Sequence, residues 1–203
     1  MKKIFDLIIS FRLSLVKILF YELFYIISGF KGNNFNIRGD KKSSDNIPCS
    51  YYFLSKIYKQ IKDIDFKSFV DLGCGHGRVL FFFSKKIYSN YLGVELFENS
   101  YQSSLKTLKG IPNVKVINVN FFDMDFNEKR FDCYFLNDPL KALSDHNKLI
   151  QSILSAHKLS RSPALFILVN LDLKKTEIFK PLKLIYNYHV NSRFIKIYKY
   201  ENS

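Results

Sequence analysis

The strongest fold signal in this 203-residue chain is the run Phe69-Val70-Asp71-Leu72-Gly73-Cys74-Gly75-His76-Gly77-Arg78. An apolar run leads into three alternating glycines, and a helical pattern begins after them. Glycines at such a bend allow positive φ angles and let a ligand approach the backbone closely. In open α/β sheets, ligands bind beyond the carboxyl ends of the strands. The stretch therefore predicts a strand, a ligand-binding loop and a helix in direct succession.

The spacing of the glycines argues against a dinucleotide site. A dinucleotide-binding loop has the pattern G-x-G-x-x-G, whereas Gly77 comes one position too early for it. Asp71 directly precedes the loop, and a carboxylate there would repel a pyrophosphate. Both features favour a cofactor with a cationic amino-acid end. The second strand ends at Glu95, where an acidic side chain can accept hydrogen bonds from two ribose hydroxyls.

Regular alternation of strand and helix patterns surrounds this loop. The β-rich runs cover residues 68–72, 91–96, 114–119, 131–136 and 164–169. The helical patterns cover residues 50–64, 79–87, 100–108 and 146–159. This alternation predicts a parallel sheet with crossover helices. Two later runs, 182–186 and 193–200, joined by a connection over 187–191, predict an antiparallel hairpin.

The loop from Asp71 to Arg78, together with the acid that ends the second strand, resembles the class I S-adenosylmethionine-dependent methyltransferases. Its layout is similar to a group of small bacterial methyltransferases with a D-L-G-x-G-x-G-R loop and an N-P-F motif. The resemblance covers about residues 48–203. It implies a Rossmann-like α/β fold with a seven-stranded, mostly parallel sheet and an antiparallel C-terminal hairpin, here preceded by an N-terminal helical extension. It also implies an enzyme that transfers a methyl group from S-adenosylmethionine to an acceptor.

The resemblance implies a role for each residue of the loop. Asp71 and Gly73 would lie near the methionine end of the cofactor, Gly75 would allow its close approach, and Glu95 would hold the ribose. Two adjacent residues, Cys74 and Leu96, complete this part of the predicted cofactor site.

After the third strand, Asn120 stands where the family usually has an aspartate that faces the adenine. The carbonyl oxygen of an amide can still accept a hydrogen bond there. Phe121 would add a backbone N–H and an apolar wall. The resemblance therefore implies adenine recognition at these two residues.

After the fourth strand, the turn Asn137-Asp138-Pro139-Leu140 resembles the N-P-F or D/N-P-P-Y motif of amino-methylating enzymes. In those enzymes the turn orients an acceptor nitrogen near the methyl group. The resemblance implies that Asn137 contacts the cofactor and that Asp138 and Pro139 form the catalytic position. Asp138 would orient the acceptor or accept its proton, and His146 would assist. An ordinary Asx-Pro turn is the alternative interpretation.

The N-terminal region has its own pattern, and we predict two domains, 1–46 and 47–203. Residues 1–46 would form an amphipathic helix and a polar linker, and residues 47–203 the S-adenosylmethionine-binding domain. One helical stripe is polar: Asp6, Ser10, Ser14, Lys17, Tyr21 and Ser28. The opposite side is apolar: Ile8, Leu15, Val16, Leu19, Leu23, Ile26, Ile27 and Phe30. Two interpretations stay open. The helix packs on its own domain or on a second subunit, or residues 4–30 lie on a membrane surface.

The composition restricts the kinds of partner that the protein is expected to bind. Thirty-one basic and 18 acidic residues give a net charge of +13, while 47% hydrophobic residues exclude a disordered chain. The charge predicts an anionic partner. We favour a membrane surface or an anionic small acceptor, and nucleic acid is the second choice. Three cysteines without C-x-x-C spacing indicate a reducing, cytoplasmic setting. The protein would be peripheral at the membrane if the helix docks there. No metal site is predicted.

Two other functions stay open. A catalytically silent partner subunit with the same fold is compatible with Asn120 and with the imperfect turn at residues 137–140. An RNA- or protein-modifying methyltransferase is compatible with the positive charge.

Overall fold

The computed structural model describes residues 2–31, 47–173, 179–190 and 192–201, with side chains from residue 14 onward. Its helices are α1 (Lys2–Ile27), α2 (Tyr51–Ile61), α3 (Arg78–Ser84), α4 (Glu98–Thr107) and α5 (Leu143–Ser160). Its strands are β1 (Ser68–Leu72), β2 (Asn90–Glu95), β3 (Val114–Asn118), β4 (Cys133–Asn137), β5 (Ala164–Val169), β6 (Leu182–Val190) and β7 (Arg193–Tyr200). A short 3-10 helix, Phe121–Asp123, follows β3.

The seven strands form one sheet in the order β3-β2-β1-β4-β5-β7-β6. β1 to β5 are parallel, and β7 runs antiparallel to both β5 and β6. The predicted fold class is confirmed. The chain leaves β1 towards one edge of the sheet and returns at β4 to build the other half. A crevice therefore opens beyond the carboxyl ends of β1 and β4, where open α/β sheets bind ligands.

Helices cover both faces of the sheet, which explains its continuous apolar strands. Phe69 of β1 packs with α2 and α3, whereas its neighbour Val70 packs on the other face with α5. All six residues of β5 are buried. The sheet is therefore a rigid central layer that fixes where each strand ends.

The predicted connection over residues 187–191 is wrong. β6 continues to Val190, which pairs directly with Arg193, so only residues 191 and 192 join the two strands. Polar residues such as Asn187 are tolerated because β6 is an edge strand with one exposed side. Tyr188 also anchors this end of the strand, since its hydroxyl lies 2.6 Å from that of Tyr52 in α2.

The first helix packs on its own domain through the side that the sequence marks as polar. Ser14, Tyr21 and Tyr25 face inward, and Tyr25 stacks on Tyr51 with ring centroids 5.0 Å apart. Between residues 15 and 27 the predicted apolar side faces solvent instead, whereas Phe30, which follows the helix, packs on the core. The reversal arises because tyrosine rings and one carboxylate supply the specific contacts with α2 and α3. Within the described residues, no helix is both long and apolar enough to cross a bilayer. The boundary at residue 46 falls outside the described residues.

An ion pair between Glu22 and Arg78 fastens α1 to the start of α3. The Oε2 atom of Glu22 lies 2.9 Å from Nη1 of Arg78, and its Oε1 accepts the backbone N–H of Tyr51 at 2.7 Å. The guanidinium of Arg78 also lies over the Tyr51 ring, 4.5 Å from its centroid. Arg78 is almost fully buried, so this contact links the helix to the glycine loop.

The Glu22→Gln variant should lose about 3–5 kcal/mol of unfolding free energy, because it leaves the buried guanidinium of Arg78 without its counter-charge. Urea unfolding of Glu22→Gln, Arg78→Met and the double variant measures this. The double variant should lose less than the sum of the two single losses. The exposed pair Lys62–Asp63 provides a control, since Asp63→Asn should have no measurable effect. Additive losses at Glu22 and Arg78 would contradict the coupling.

Candidate functional site

A cleft of about 350 Å³ lies beyond the carboxyl ends of β1, β2 and β4. Predicted cofactor residues among its walls are Asp71, Gly73, Cys74, Glu95, Leu96, Asn120, Phe121 and Asn137. Of the predicted catalytic residues, Asp138 and Pro139 also line it. The parallel strands bring these separate stretches of sequence to one place, because their carboxyl ends share an edge of the sheet.

The glycine loop is built so that its backbone approaches the turn after β4. Gly73 has a φ of +86°, and a Cβ atom there would lie 3.0 Å from Cβ of Pro139. Its N–H and that of Cys74 both donate to the carbonyl of Val94, at 2.9 and 3.0 Å. A side chain at position 73 would therefore separate the loop from the turn and widen the cleft.

Asp71 is a buried carboxyl at the floor of the cleft. Its side chain is 2% exposed, and its Oδ2 has no hydrogen-bond partner among the described residues. Burial, and secondarily the nearby charge of Glu95, hold its pKa well above the usual range. A buried carboxyl without a partner is unfavourable in its charged form. This position therefore favours a cationic ligand group in the cleft.

Glu95 connects β2 to the glycine loop. Its Oε2 accepts the backbone N–H of Gly75 at 2.8 Å, and its Oε1 accepts that of Phe97 at 2.9 Å. Burial raises its pKa, and these backbone hydrogen bonds partly counter the shift. A carboxylate has about four acceptor positions. Glu95 can therefore hold the loop and still accept bonds from a ligand. Gly75 itself is not among the residues that line the cleft.

Asn120 occupies the turn after β3, where it caps the 3-10 helix. Its Oδ1 accepts the backbone N–H of Phe122 at 3.0 Å. One lone pair of that oxygen and the amide N–H groups stay available for a ligand. Phe121 is buried, while Phe122 is exposed at the mouth of the cleft. The two rings make this part of the cleft apolar.

The turn after β4 presents Asp138 to the cleft. Asp138 adopts the left-handed conformation with a φ of 44°, and its Oδ1 lies 3.6 Å from Nε2 of His146. Burial raises the pKa of the Asp138 carboxyl. His146 is buried behind the turn, and its Nε2 accepts the backbone N–H of Leu140 at 3.3 Å. Burial lowers the pKa of His146 to about 4, so its ring is uncharged at neutral pH.

Several residues of the site were not predicted to bind a ligand from the sequence. His76 lines the cleft with both ring nitrogens buried and without a hydrogen-bond partner among the described residues. Cys49, Phe97, Phe122 and Lys148 also contribute to the walls. Within the described part of the chain, no three His, Cys, Asp or Glu side chains group as metal ligands. The position of His76 between two loop glycines was the available signal, whereas the other four lack a motif.

These walls fit S-adenosylmethionine, the cofactor that the sequence resemblance implies. Its methionine end carries an ammonium group, and Asp71 supplies a buried oxygen that lacks a partner. Its ribose has two hydroxyls, and Glu95 retains free acceptor positions. Its adenine is planar and apolar on its faces, and Phe121 and Phe122 lie at that end of the cleft.

Comparisons with known proteins agree with this geometry. Residues 69–158 match a family model described as a methyltransferase domain. None of the curated proteins matches the sequence.

Among solved structures, an RNA methyltransferase from Salinibacter ruber, in complex with S-adenosyl-L-homocysteine, superposes with a TM-score of 0.59 at 13% identity. The alignment covers 77% of this chain and 95% of that one. A protein of the NADB-Rossmann superfamily from Streptococcus agalactiae gives 0.55 at 15% identity, covering 77% and 71%. A SAM-dependent methyltransferase from Aquifex aeolicus gives 0.50 at 15% identity, covering 72% and 88%. At such low identity these structures are similar in fold alone. Together, the sheet, the glycine loop and the family match over residues 69–158 support a class I methyltransferase that depends on S-adenosylmethionine.

Proposed function

We propose that the cleft binds S-adenosylmethionine through Asp71, Glu95 and the loop Gly73–Gly75, and that it directs the methyl group towards the turn at residues 137–140. The observation that carries this proposal is the pair of buried carboxyls, Asp71 and Glu95, on one wall of one cleft. Asp71 would pair with the ammonium, and Glu95 would accept from the ribose. Asn120 and Phe121 would hold the adenine, with Cys74, Leu96 and Asn137 as further walls.

Asp138 is the proposed catalytic residue on the acceptor side. The cofactor supplies an activated methyl group, so the protein mainly binds and aligns the reactants. Alignment alone can lower a barrier by about 7–11 kcal/mol. The raised pKa of Asp138 makes its carboxylate a better proton acceptor for an acceptor atom that must lose a proton. Pro139 holds this turn against Gly73, and His146 positions it through Leu140.

A second cavity, of about 360 Å³, adjoins the cleft and is a suitable acceptor site. It shares Asn137 and Asp138 with the cleft and is also lined by Phe53, Lys141 and Arg193. Two cationic side chains against one carboxyl favour a negatively charged acceptor. The ring of Phe53 adds an apolar wall. The proposed acceptor is therefore a small molecule with a carboxylate or phosphate group.

The Arg193→Gln variant should raise the KM for an anionic acceptor about tenfold, because one charge-assisted hydrogen bond is lost. Release of S-adenosylhomocysteine, measured across a panel of small carboxylates and phosphates, identifies the acceptor and its KM. Affinity for S-adenosylmethionine should stay unchanged in the variant. Lys183→Gln, on the exposed edge strand β6, is the matched control. A neutral or cationic acceptor, with the same KM in both variants, would contradict the assignment.

The same assay tests the proposed activity against its main rival. A methyltransferase releases S-adenosylhomocysteine with at least one acceptor, and the Asp138→Ala variant should lower kcat about 10²–10⁴-fold if its carboxylate accepts a proton. A silent partner subunit would bind the cofactor and release no product with any acceptor. That second outcome would reject catalysis while keeping the cofactor site.

A nucleic-acid acceptor is the second candidate, and the net charge of +13 is the observation that favours it. A nucleic-acid acceptor predicts RNA binding that weakens steeply with salt. The slope of the logarithm of the binding constant against the logarithm of the salt concentration is proportional to the number of phosphates contacted. RNA binding that is absent or insensitive to salt would reject the nucleic-acid acceptor.

We also propose a cytoplasmic location, peripheral to the membrane, because three free cysteines fit a reducing compartment and α1 offers a surface for lipid.

A further inference from the structure

Between residues 15 and 27, the solvent side of α1 is an uninterrupted apolar surface. Eight side chains form it, and each is between 42% and 75% exposed. They are Leu15, Val16, Leu19, Phe20, Leu23, Phe24, Ile26 and Ile27. At about 100° per residue they span half of the helix circumference with no charged residue among them. A continuous apolar patch of this kind marks a surface that is covered in the functional state.

The helix is fixed to the domain from its other side, so the apolar surface is held outward. Tyr21 packs edge-on against Tyr52 with ring centroids 5.2 Å apart, and Tyr25 stacks on Tyr51. Glu22 pairs with the buried Arg78. These contacts all lie outside the arc of the eight apolar side chains. Turning the apolar side inward would break all of them at once, so the exposed orientation is a built feature of the fold.

One lysine borders this surface, and the acid beside it is paired with an arginine of the domain. Lys17 is exposed at the border of the apolar half of the helix. Between residues 14 and 27, Glu22 is the single acidic residue, and Arg78 compensates it. An apolar helix face bordered by a lysine, on a chain of net charge +13, is complementary to a bilayer with anionic headgroups.

We propose that α1 docks the enzyme onto an anionic lipid surface, with the eight apolar side chains inserted into the interfacial region. This inference names the surface and the lipid class for the proposed membrane contact, and it does not depend on the cofactor site. The charge argues against a second copy as the occupant, because pairing through this face would join two chains of net charge +13. Because Glu22 joins α1 to Arg78, which lines the cleft, docking would hold the cleft close to the lipid surface.

Co-sedimentation of the full chain with vesicles tests the proposal. Wild type should pellet with phosphatidylcholine vesicles that contain about 30% phosphatidylserine, and salt should weaken the binding. The Leu19→Ser/Leu23→Ser variant should bind at least about tenfold more weakly, because two large apolar side chains no longer insert. Lys17→Gln should weaken binding about fivefold. The matched control, Leu105→Ser/Leu159→Ser, changes two exposed leucines on other helices and should bind like wild type.

Circular dichroism and urea unfolding show whether each variant is folded, and neither measurement uses the cofactor. Leu19 and Leu23 are more than half exposed, so the variant should unfold at the same urea concentration as wild type. Three results would overturn the proposal. These are failure of wild type to pellet with anionic vesicles, equal pelleting of the variant and wild type, and a wild-type dimer in light scattering that the variant lacks.

Discussion

The Asp71→Asn variant should be more stable than wild type at neutral pH and should bind S-adenosylmethionine about 10- to 150-fold more weakly. The weaker binding follows from the loss of one charge-assisted hydrogen bond, which contributes about 1.5–3 kcal/mol. The higher stability follows from burial, because a neutral amide costs less to bury than an unpaired carboxylate. Oδ2 of Asp71 has no partner among the described residues that this change could remove.

The free energy of unfolding of wild type should also depend on pH because of Asp71. Since burial holds the pKa of Asp71 well above its usual value, the folded chain binds this proton more tightly than the unfolded chain. The free energy of unfolding from this group is greatest below the unfolded pKa of about 4 and falls as the pH rises towards the folded pKa. Urea unfolding across pH should show this fall in wild type and not in the variant.

Cofactor affinity should show the opposite pH dependence. An ammonium next to Asp71 favours the ionised carboxyl, so binding releases a proton at any pH below the pKa of the free site. Affinity should therefore rise with pH in wild type and stay constant in Asp71→Asn. Calorimetry in buffers of different ionisation enthalpy detects the released proton. Asp123→Asn, at an exposed position, is the control. Equal pH profiles for wild type and Asp71→Asn would contradict the assignment.

The Glu95→Ala variant should lose both cofactor binding and stability. It leaves the backbone N–H groups of Gly75 and Phe97 without acceptors in a buried place, at about 1–3 kcal/mol for each. We therefore expect a loss of about 2–5 kcal/mol in the free energy of unfolding. Cofactor affinity should fall further than in Asp71→Asn, because the ribose acceptor and the loop geometry are lost together.

Glu95→Gln separates these two effects. The amide keeps the shape of the side chain and one acceptor, so its stability loss should be smaller than that of alanine. Urea unfolding gives the stability and calorimetry gives the affinity of each variant. Glu98→Ala changes an exposed acid three residues later, so both quantities should stay at wild-type values. Full affinity in Glu95→Ala would remove Glu95 from the site.

Much of the fold could be predicted from the sequence because it depends on local signals. β1 and β5 begin and end at the predicted residues, since apolar runs are bounded there by polar residues, proline or glycine. The glycine loop and the acid at Glu95 predicted the place of the cleft, because strand ends of a parallel sheet meet at one edge. Asn120 and Asp138 were assigned from the family resemblance, and their roles on a ligand stay predictions.

The contacts that the sequence did not predict join distant segments. The pair Glu22–Arg78 connects residues 56 positions apart, and no local pattern marks it. The orientation of α1 depends on this pair and on Tyr25 against Tyr51, so helical periodicity alone indicated the opposite side as the one that packs. The second cavity likewise needs Arg193 from β7 next to Asp138 from the turn after β4. Such sites are products of the completed sheet.

Calorimetric titration with S-adenosylmethionine tests whether this cleft is the cofactor site. At neutral pH, wild type should bind one molecule per chain, Asp71→Asn should bind more weakly, and Glu95→Ala should show no measurable heat. Unfolding curves of the same samples establish that each variant is folded during the titration. No binding by wild type, or the same affinity in all three proteins, would contradict the assignment of this cleft as the cofactor site.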